Sequence, residues 1–227
     1  TSVQGEWHAF GLEVLTLPSG TVIDPNNVAR AFAGSITTAA NGTITAGTGR
    51  ESTRLDLTLT GNLSAFDNGT VEIGLTQDTT GGRNTRAYSA AATVTVSQPV
   101  TTSVVLGIET ADNNAGGIVA LVRKRDGRAS TEDLAGDYWV GIVTVFASPT
   151  NAGSEGSYGA ITLTKDGAWR LDAKDSRTTY RLTGTYEIDA DGTMRLVNNA
   201  TREAWRGAFD QDYKTIVFVD HDITGSS

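Results

Sequence analysis

One stretch of this chain occurs twice. Tyr180 to Leu196 reads Y-R-L-T-G-T-Y-E-I-D-A-D-G-T-M-R-L, and a degenerate copy lies 123 residues earlier, at Leu57 to Ile73. In the later copy Tyr180, Leu182, Gly184, Tyr186 and Ile188 alternate with polar residues; in the earlier one Leu57, Leu59, Gly61, Leu63 and Ala65 keep the same period of two. A period of two lines up side chains on one face of a strand. Each copy then reaches a turn ending in Gly-Thr, Asn68-Gly69-Thr70 or Asp191-Gly192-Thr193, and an alternating strand returns. Both copies are therefore expected to be β-hairpins.

A second hairpin repeats in step. Gly34-Ser35-Ile36, the turn Asn41-Gly42 and Ile44 recur as Gly159-Ala160-Ile161, Asp166-Gly167 and Trp169, at an offset of 125. Two successive hairpins at nearly one offset mark a tandem duplication. Past Leu75 the halves drift: Gly107 and Asp112 match Gly207 and Asp212 at an offset of only 100, which leaves the first half 23 residues longer (123 against 100). The surplus falls near 77–98 and includes a strand-like run from Tyr88 to Val96. The expected organisation is a first β unit over 1–124, a polar joint over 125–133 and a second β unit over 134–227. No segment carries a helical period, so the fold class is all-β, two related antiparallel units. Gly61 and Gly184, each in mid-strand, permit a sharp bend or a close backbone approach, which favours a barrel or a strongly curled sheet.

Gly5-Glu6-Trp7 opens the first unit and Leu134-Ala135-Gly136-Asp137-Tyr138 opens the second. These openings resemble the Gly-x-Trp start of lipocalin-type, calycin-like β-barrels, here in tandem. The resemblance implies an aromatic that closes the barrel floor with an arginine from a late strand packed over it. Arg206 is placed to supply that arginine in the second unit; the first has no clear equivalent near Gly107, and Tyr138 replaces the tryptophan in the second.

Chemistry is sparsely provided for. With no cysteine the chain has neither a disulfide nor a thiolate site. Only His8 and His221 are available as a catalytic base, and no Gly-x-Ser-x-Gly elbow surrounds any serine, so a nucleophile signature is missing. Asp220-His221-Asp222 alternates across a strand and makes a poor three-ligand metal site. Asp189-Ala190-Asp191-Gly192 starts like a calcium loop but lacks its later carboxylates. The expectation is no enzyme and no cofactor, with at most weak structural calcium at oxygen-rich turns such as Asp112-Asn113-Asn114 and Asp210-Gln211-Asp212.

The net charge of −8 repels nucleic acid. No run of eighteen apolar residues is present to span a membrane as a helix. The acidic, Thr- and Gly-rich composition suits a bacterial extracellular or cell-surface protein whose signal peptide has been removed.

Two surfaces remain for function. If the second unit encloses a pocket, Trp169, Tyr180, Leu182 and Tyr186 line it, as a lipocalin-like small-molecule binder would require. The closing strands, Ile118 to Val122 and Ile216 to Val219, are apolar on both faces and must be covered by the sister unit or another subunit. Ile118, Leu121, Ile216 and Phe218, with the basic residues Arg123, Lys124 and Arg125, are thus candidates for an assembly interface with copies of the chain or other surface proteins. The leading expectation is a non-enzymatic structural or assembly subunit of fibre, sheath or adhesin type.

Overall fold

The alternation described above folds into hairpins throughout. In the computed structural model, residues 3–15, 29–52, 56–66, 70–79, 82–95, 101–109, 115–124, 127–148 and 151–220 are described. The first unit runs β1 (Gly5–Leu15), β2 (Ala29–Thr38), β3 (Ile44–Glu51), β4 (Asp56–Ala65), β5 (Thr70–Thr79), β6 (Gly82–Thr95), β7 (Thr101–Glu109) and β8 (Ala115–Arg123). Each strand is antiparallel to the next, and β8 returns to β1 with Arg123 opposite Trp7, closing an eight-stranded barrel. A single turn of helix, α1 (Thr131–Leu134), opens the second unit. It is followed by β9 (Gly136–Ser148), β10 (Asn151–Leu163), β11 (Ala168–Lys174), β12 (Thr179–Ile188), β13 (Thr193–Asn198), β14 (Ala204–Phe209) and β15 (Ile216–Asp220). These seven strands form an antiparallel sheet in sequence order that stays open, with β9 and β15 at its edges.

The repeated stretch holds the same place in both units. β4 and β12 are ten residues each, and the glycine at the sixth position of each sits where no side chain fits. A Cβ on Gly61 (φ +139°) would collide with the Gly74 carbonyl, and one on Gly184 with the Val197 carbonyl and the Trp169 ring. Both glycines let the neighbouring strand come close as the sheet curls. The strand β6 lies in the stretch by which the first unit is longer. One added strand reverses the sense of every strand after it, so Gly107 on β7 and Gly207 on β14 run in opposite directions relative to their own first strands.

Three apolar clusters follow. The barrel interior is filled by Trp7, Phe32, Ile36, Leu59, Leu63, Ile73, Leu75 and Leu121 among others. The concave side of the second sheet packs Leu163, Trp169, Leu171, Tyr186, Leu196 and Phe209 over Leu134 of α1. The third cluster joins the units: Phe10, Ala33, Val104 and Val122 from the barrel's outer wall meet Ala208, Val217 and Val219 from the convex side of β14 and β15. Buried Phe and Val side chains contribute roughly 1.5–3 kcal/mol each. The closing strands β8 and β15 thus spend their second apolar face on one another's units, while Leu121 points into the barrel and Ile216 and Phe218 into the second core.

Candidate functional site

One end of the barrel is sealed. Trp7 is fully buried, and its indole N–H donates to the Val3 carbonyl (3.2 Å) and to Thr38 Oγ1 (3.1 Å). The Arg123 guanidinium lies 4.3 Å from the centre of the Trp7 ring and donates to the Gln4 carbonyl at 2.5 Å. A half-buried cation over an indole face is favourable because the ring quadrupole replaces part of its lost hydration. Beside it Lys124 Nζ stands 3.6 Å from Glu6. Two members of the basic run therefore work at the barrel floor; Arg125 lies outside the described residues. In the second unit the residue equivalent to Trp7, Tyr138, donates its hydroxyl to the Leu134 carbonyl, and Arg206 is exposed.

The opposite end of the barrel is polar inside. Register places Glu13 opposite Arg30, Glu51 opposite Phe32 and Gln77 opposite Leu59, all on the inward face. Gln77 Nε2 donates to Glu13 Oε1 at 2.7 Å, and Arg30 pairs with Glu51 at 3.6 Å. Glu13, Glu51 and Gln77 are buried. Sequence reading missed this cluster, although a signal was there: on β1 the inward positions Trp7, Ala9 and Gly11 lead by twos to Glu13.

The four residues expected to line a pocket sit in the second core. Trp169 and Tyr186 are buried, Tyr180 and Leu182 half-buried. Trp169 packs on Trp205 with ring centres 5.4 Å apart and donates to the Thr185 carbonyl. The Tyr186 hydroxyl contacts the Thr131 and Thr164 carbonyls at 3.0 and 2.8 Å, and burial pushes its pKa up to about 12. The polar tips of Trp169 and Tyr186 are thus engaged by the chain itself. Of the expected interface residues, Ile118 on β8 is half-buried.

The oxygen-rich turns bind backbone. Asp191 Oδ1 accepts from the Thr193 N–H and hydroxyl, and Asp210 Oδ1 from the N–H groups of Lys214 and Thr215. Among the described residues no group of three or more His, Asp or Glu is placed to hold a metal ion. Asp112 to Asn114, His221 and Asp222 fall outside the described residues. His8 points out of the barrel beneath the β12–β13 turn of the second unit, 3% exposed, with Nε2 lacking a hydrogen-bond partner.

The convex side of the second sheet is the most exposed apolar surface described. Trp139 on β9 is 92% exposed, Tyr158 on β10 65% and Val143 on β9 53%. In register Trp139 faces Ala160, Ala160 faces Asp172, and Asp172 faces Arg181, one row across four strands. The next row holds Asp137, Thr162 and Arg170. Together Asp137, Trp139, Ala160, Thr162, Arg170 and Asp172 line a groove of about 320 Å³. Asp172 bridges two guanidiniums, Arg170 Nε at 2.9 Å and Arg181 Nε at 2.5 Å, and the Arg181 hydrogen bond holds its carboxyl below the usual range. Thr162 donates to Asp137 at 2.6 Å. The adjacent aromatics Tyr138 and Trp139 hinted at this face, since neighbours on a strand must point to opposite sides.

No family model matches the chain, and neither a curated protein nor a solved structure matches it.

Proposed function

We propose that the chain is a non-enzymatic extracellular or cell-surface protein that acts by contact, as an assembly subunit of fibre, sheath or adhesin type, and that copies join at the outer edge of β9. One observation carries this. β9 is thirteen residues long, pairs with β10 alone among the described strands, and bears a single charge, Asp137, with neither lysine nor proline. Soluble β proteins shield such an edge with charge, proline, bulges or short length, because its unpaired N–H and C=O groups accept another strand. The barrel removes its edges by closing, and β15, at the other edge of the open sheet, is five residues long and packs on the barrel wall. The closing strands spend their apolar faces within the chain, so β9 is the better place for a second copy. Pairing about a two-fold axis gives a dimer; a head-to-tail contact gives a fibre.

Light scattering on native protein tests this with wild type and Val143→Lys, which adds a charge beside the edge and leaves the inner face alone. Particles larger than the 23.8 kDa chain that shrink in the variant are expected. Wild-type protein that stays monomeric at high concentration would end the proposal.

A second reading, a lipocalin-like small-molecule binder, is supported by the Trp7–Arg123 floor and the buried polar cluster at the other end of the same barrel. It moves the ligand from the second unit to the polar end of the first, beyond the apolar side chains that fill the rest of that barrel. Native mass spectrometry that finds no small molecule retained by protein taken from its source would sink it.

A further inference from the structure

The convex face of β9–β12 combines features that an apolar protein contact would not tolerate together. Trp139 and Tyr158 are diagonal neighbours on adjoining strands, within reach of one another for side chains of this size. Between β9 and β10 a small residue stands opposite each ring, Ala160 across from Trp139 and Gly141 across from Tyr158; on its β11 side Tyr158 stands opposite Lys174. A side chain at Gly141 would meet nothing within 4 Å, and both aromatic residues stand exposed on open sheet. The floor beside the indole is crowded with charge: Asp137, Arg170, Asp172 and Arg181 stand within two rows of it. An apolar partner covering Trp139 would strip water from these groups, at a cost that ion pairs seldom return.

A ligand that is apolar on one side and hydroxylated at its rim meets no such penalty. A pyranose ring has this shape: its axial C–H groups lie on the aromatic face, where the negative π cloud attracts them. Its equatorial hydroxyls both donate and accept, so they exchange hydrogen bonds with carboxylates, guanidiniums and Thr162 without leaving any unpaired. At the groove two carboxylates stand against two guanidiniums tied through Asp172, and Lys174 lies farther off, opposite Tyr158; a neutral sugar answers these groups by hydrogen bonds without displacing their ion pairs. The groove, about 320 Å³, is at the lower end of small-ligand sites and open along the sheet, as a chain of sugars requires.

We propose that this face binds neutral polysaccharide, with Trp139 and Tyr158 as stacking platforms and Asp137, Thr162, Arg170 and Asp172 as the hydrogen-bonding rim. The site lies on the face of the sheet and the proposed contact between copies on its edge, so the two are independent. Native gel electrophoresis through gels containing dextran, starch, xyloglucan, galactomannan or xylan tests it on the full chain. At least one polysaccharide should retard wild-type protein. Trp139→Ala should weaken that retardation tenfold or more. Ala160→Arg, which fills the groove but keeps the indole, should do the same, with thermal unfolding of both variants unchanged. Absence of retardation by all five, or equal retardation of wild type and both variants, overturns the proposal. Light scattering on the same samples separates the two ideas: if Trp139→Ala dissociates particles without changing retardation, the indole serves contact between copies and the sugar site falls. If retardation is lost while particle mass is unchanged, the sugar site stands whatever the fate of the edge.

Discussion

Arg123 and Trp7 face each other across the seam that closes the barrel, guanidinium over indole at 4.3 Å, although 115 residues separate them in the chain. The pair reinforces the floor end of the β1–β8 ladder, beside the Lys124 N–H bond to the Glu6 carbonyl.

Loss of that contact should loosen the seam. Arg123→Gln removes the cation from the ring and the bond to the Gln4 carbonyl, and should cost about 1–3 kcal/mol. Trp7→Ala empties the floor and should cost about 3–5 kcal/mol. Urea unfolding followed by far-ultraviolet circular dichroism checks both; equal stability of Arg123→Gln and wild type would show that the stacked cation does nothing for closure.

His8 predicts acid sensitivity at the junction of the units. Burial is the main reason its pKa falls from 6.5 to about 4; Lys124 lowers it further, while Asp191 and Glu6 pull it up. Above pH 6.5 the imidazole is neutral in folded and unfolded chain alike. As pH drops from 6.5 towards 4 only the unfolded chain takes the proton, so stability falls, by about 3 kcal/mol in all at 1.36 kcal/mol per unit. His8→Leu should flatten this window in a plot of unfolding free energy against pH. An unchanged slope in the variant would assign the acid sensitivity to other groups.

The two mid-strand glycines should be intolerant of any side chain. Gly184→Ala drives a methyl into the Val197 carbonyl and the Trp169 ring, and Gly61→Ala adds an unfavourable φ of +139° to a clash with Gly74. Each should destabilise by about 1–3 kcal/mol or more. Thermal unfolding measures it; a neutral Gly184→Ala would mean that β12 and β13 can move apart freely.

Inside the polar end, Gln77→Leu deletes a buried donor 2.7 Å from the Glu13 carboxyl. Leaving that acceptor short of one bond should cost about 1–3 kcal/mol. If Gln77→Leu instead stabilises the barrel, the cluster is a strained site kept for binding, in favour of the small-molecule reading.

The hairpins were legible because a period of two and a Gly-Thr turn are local facts: Tyr180, Leu182 and Tyr186 face inward together wherever their strand is placed. The same holds for Gly61 and Gly184, whose position in mid-strand already called for a close neighbour. Arg123 was not legible. In sequence it belongs to a basic run that looks like a solvated joint, and only the β1–β8 pairing turns it onto Trp7. Glu13 and Gln77 were missed for the same reason, since an isolated polar residue at the end of an apolar strand is as often wet as buried.

Strand propensity, hairpin register and the doubling itself were determined by the order of residues, through contacts between near neighbours that alternation and turns specify. Tertiary structure alone decided that the first unit closes while the second stays open. It also decided that β8 and β15 hide their outer faces against the sister unit and that Trp139, not Tyr138, meets solvent. Those outcomes depend on which apolar surfaces can cover one another at long range, and a period of two says which side chains share a face without saying what that face will meet.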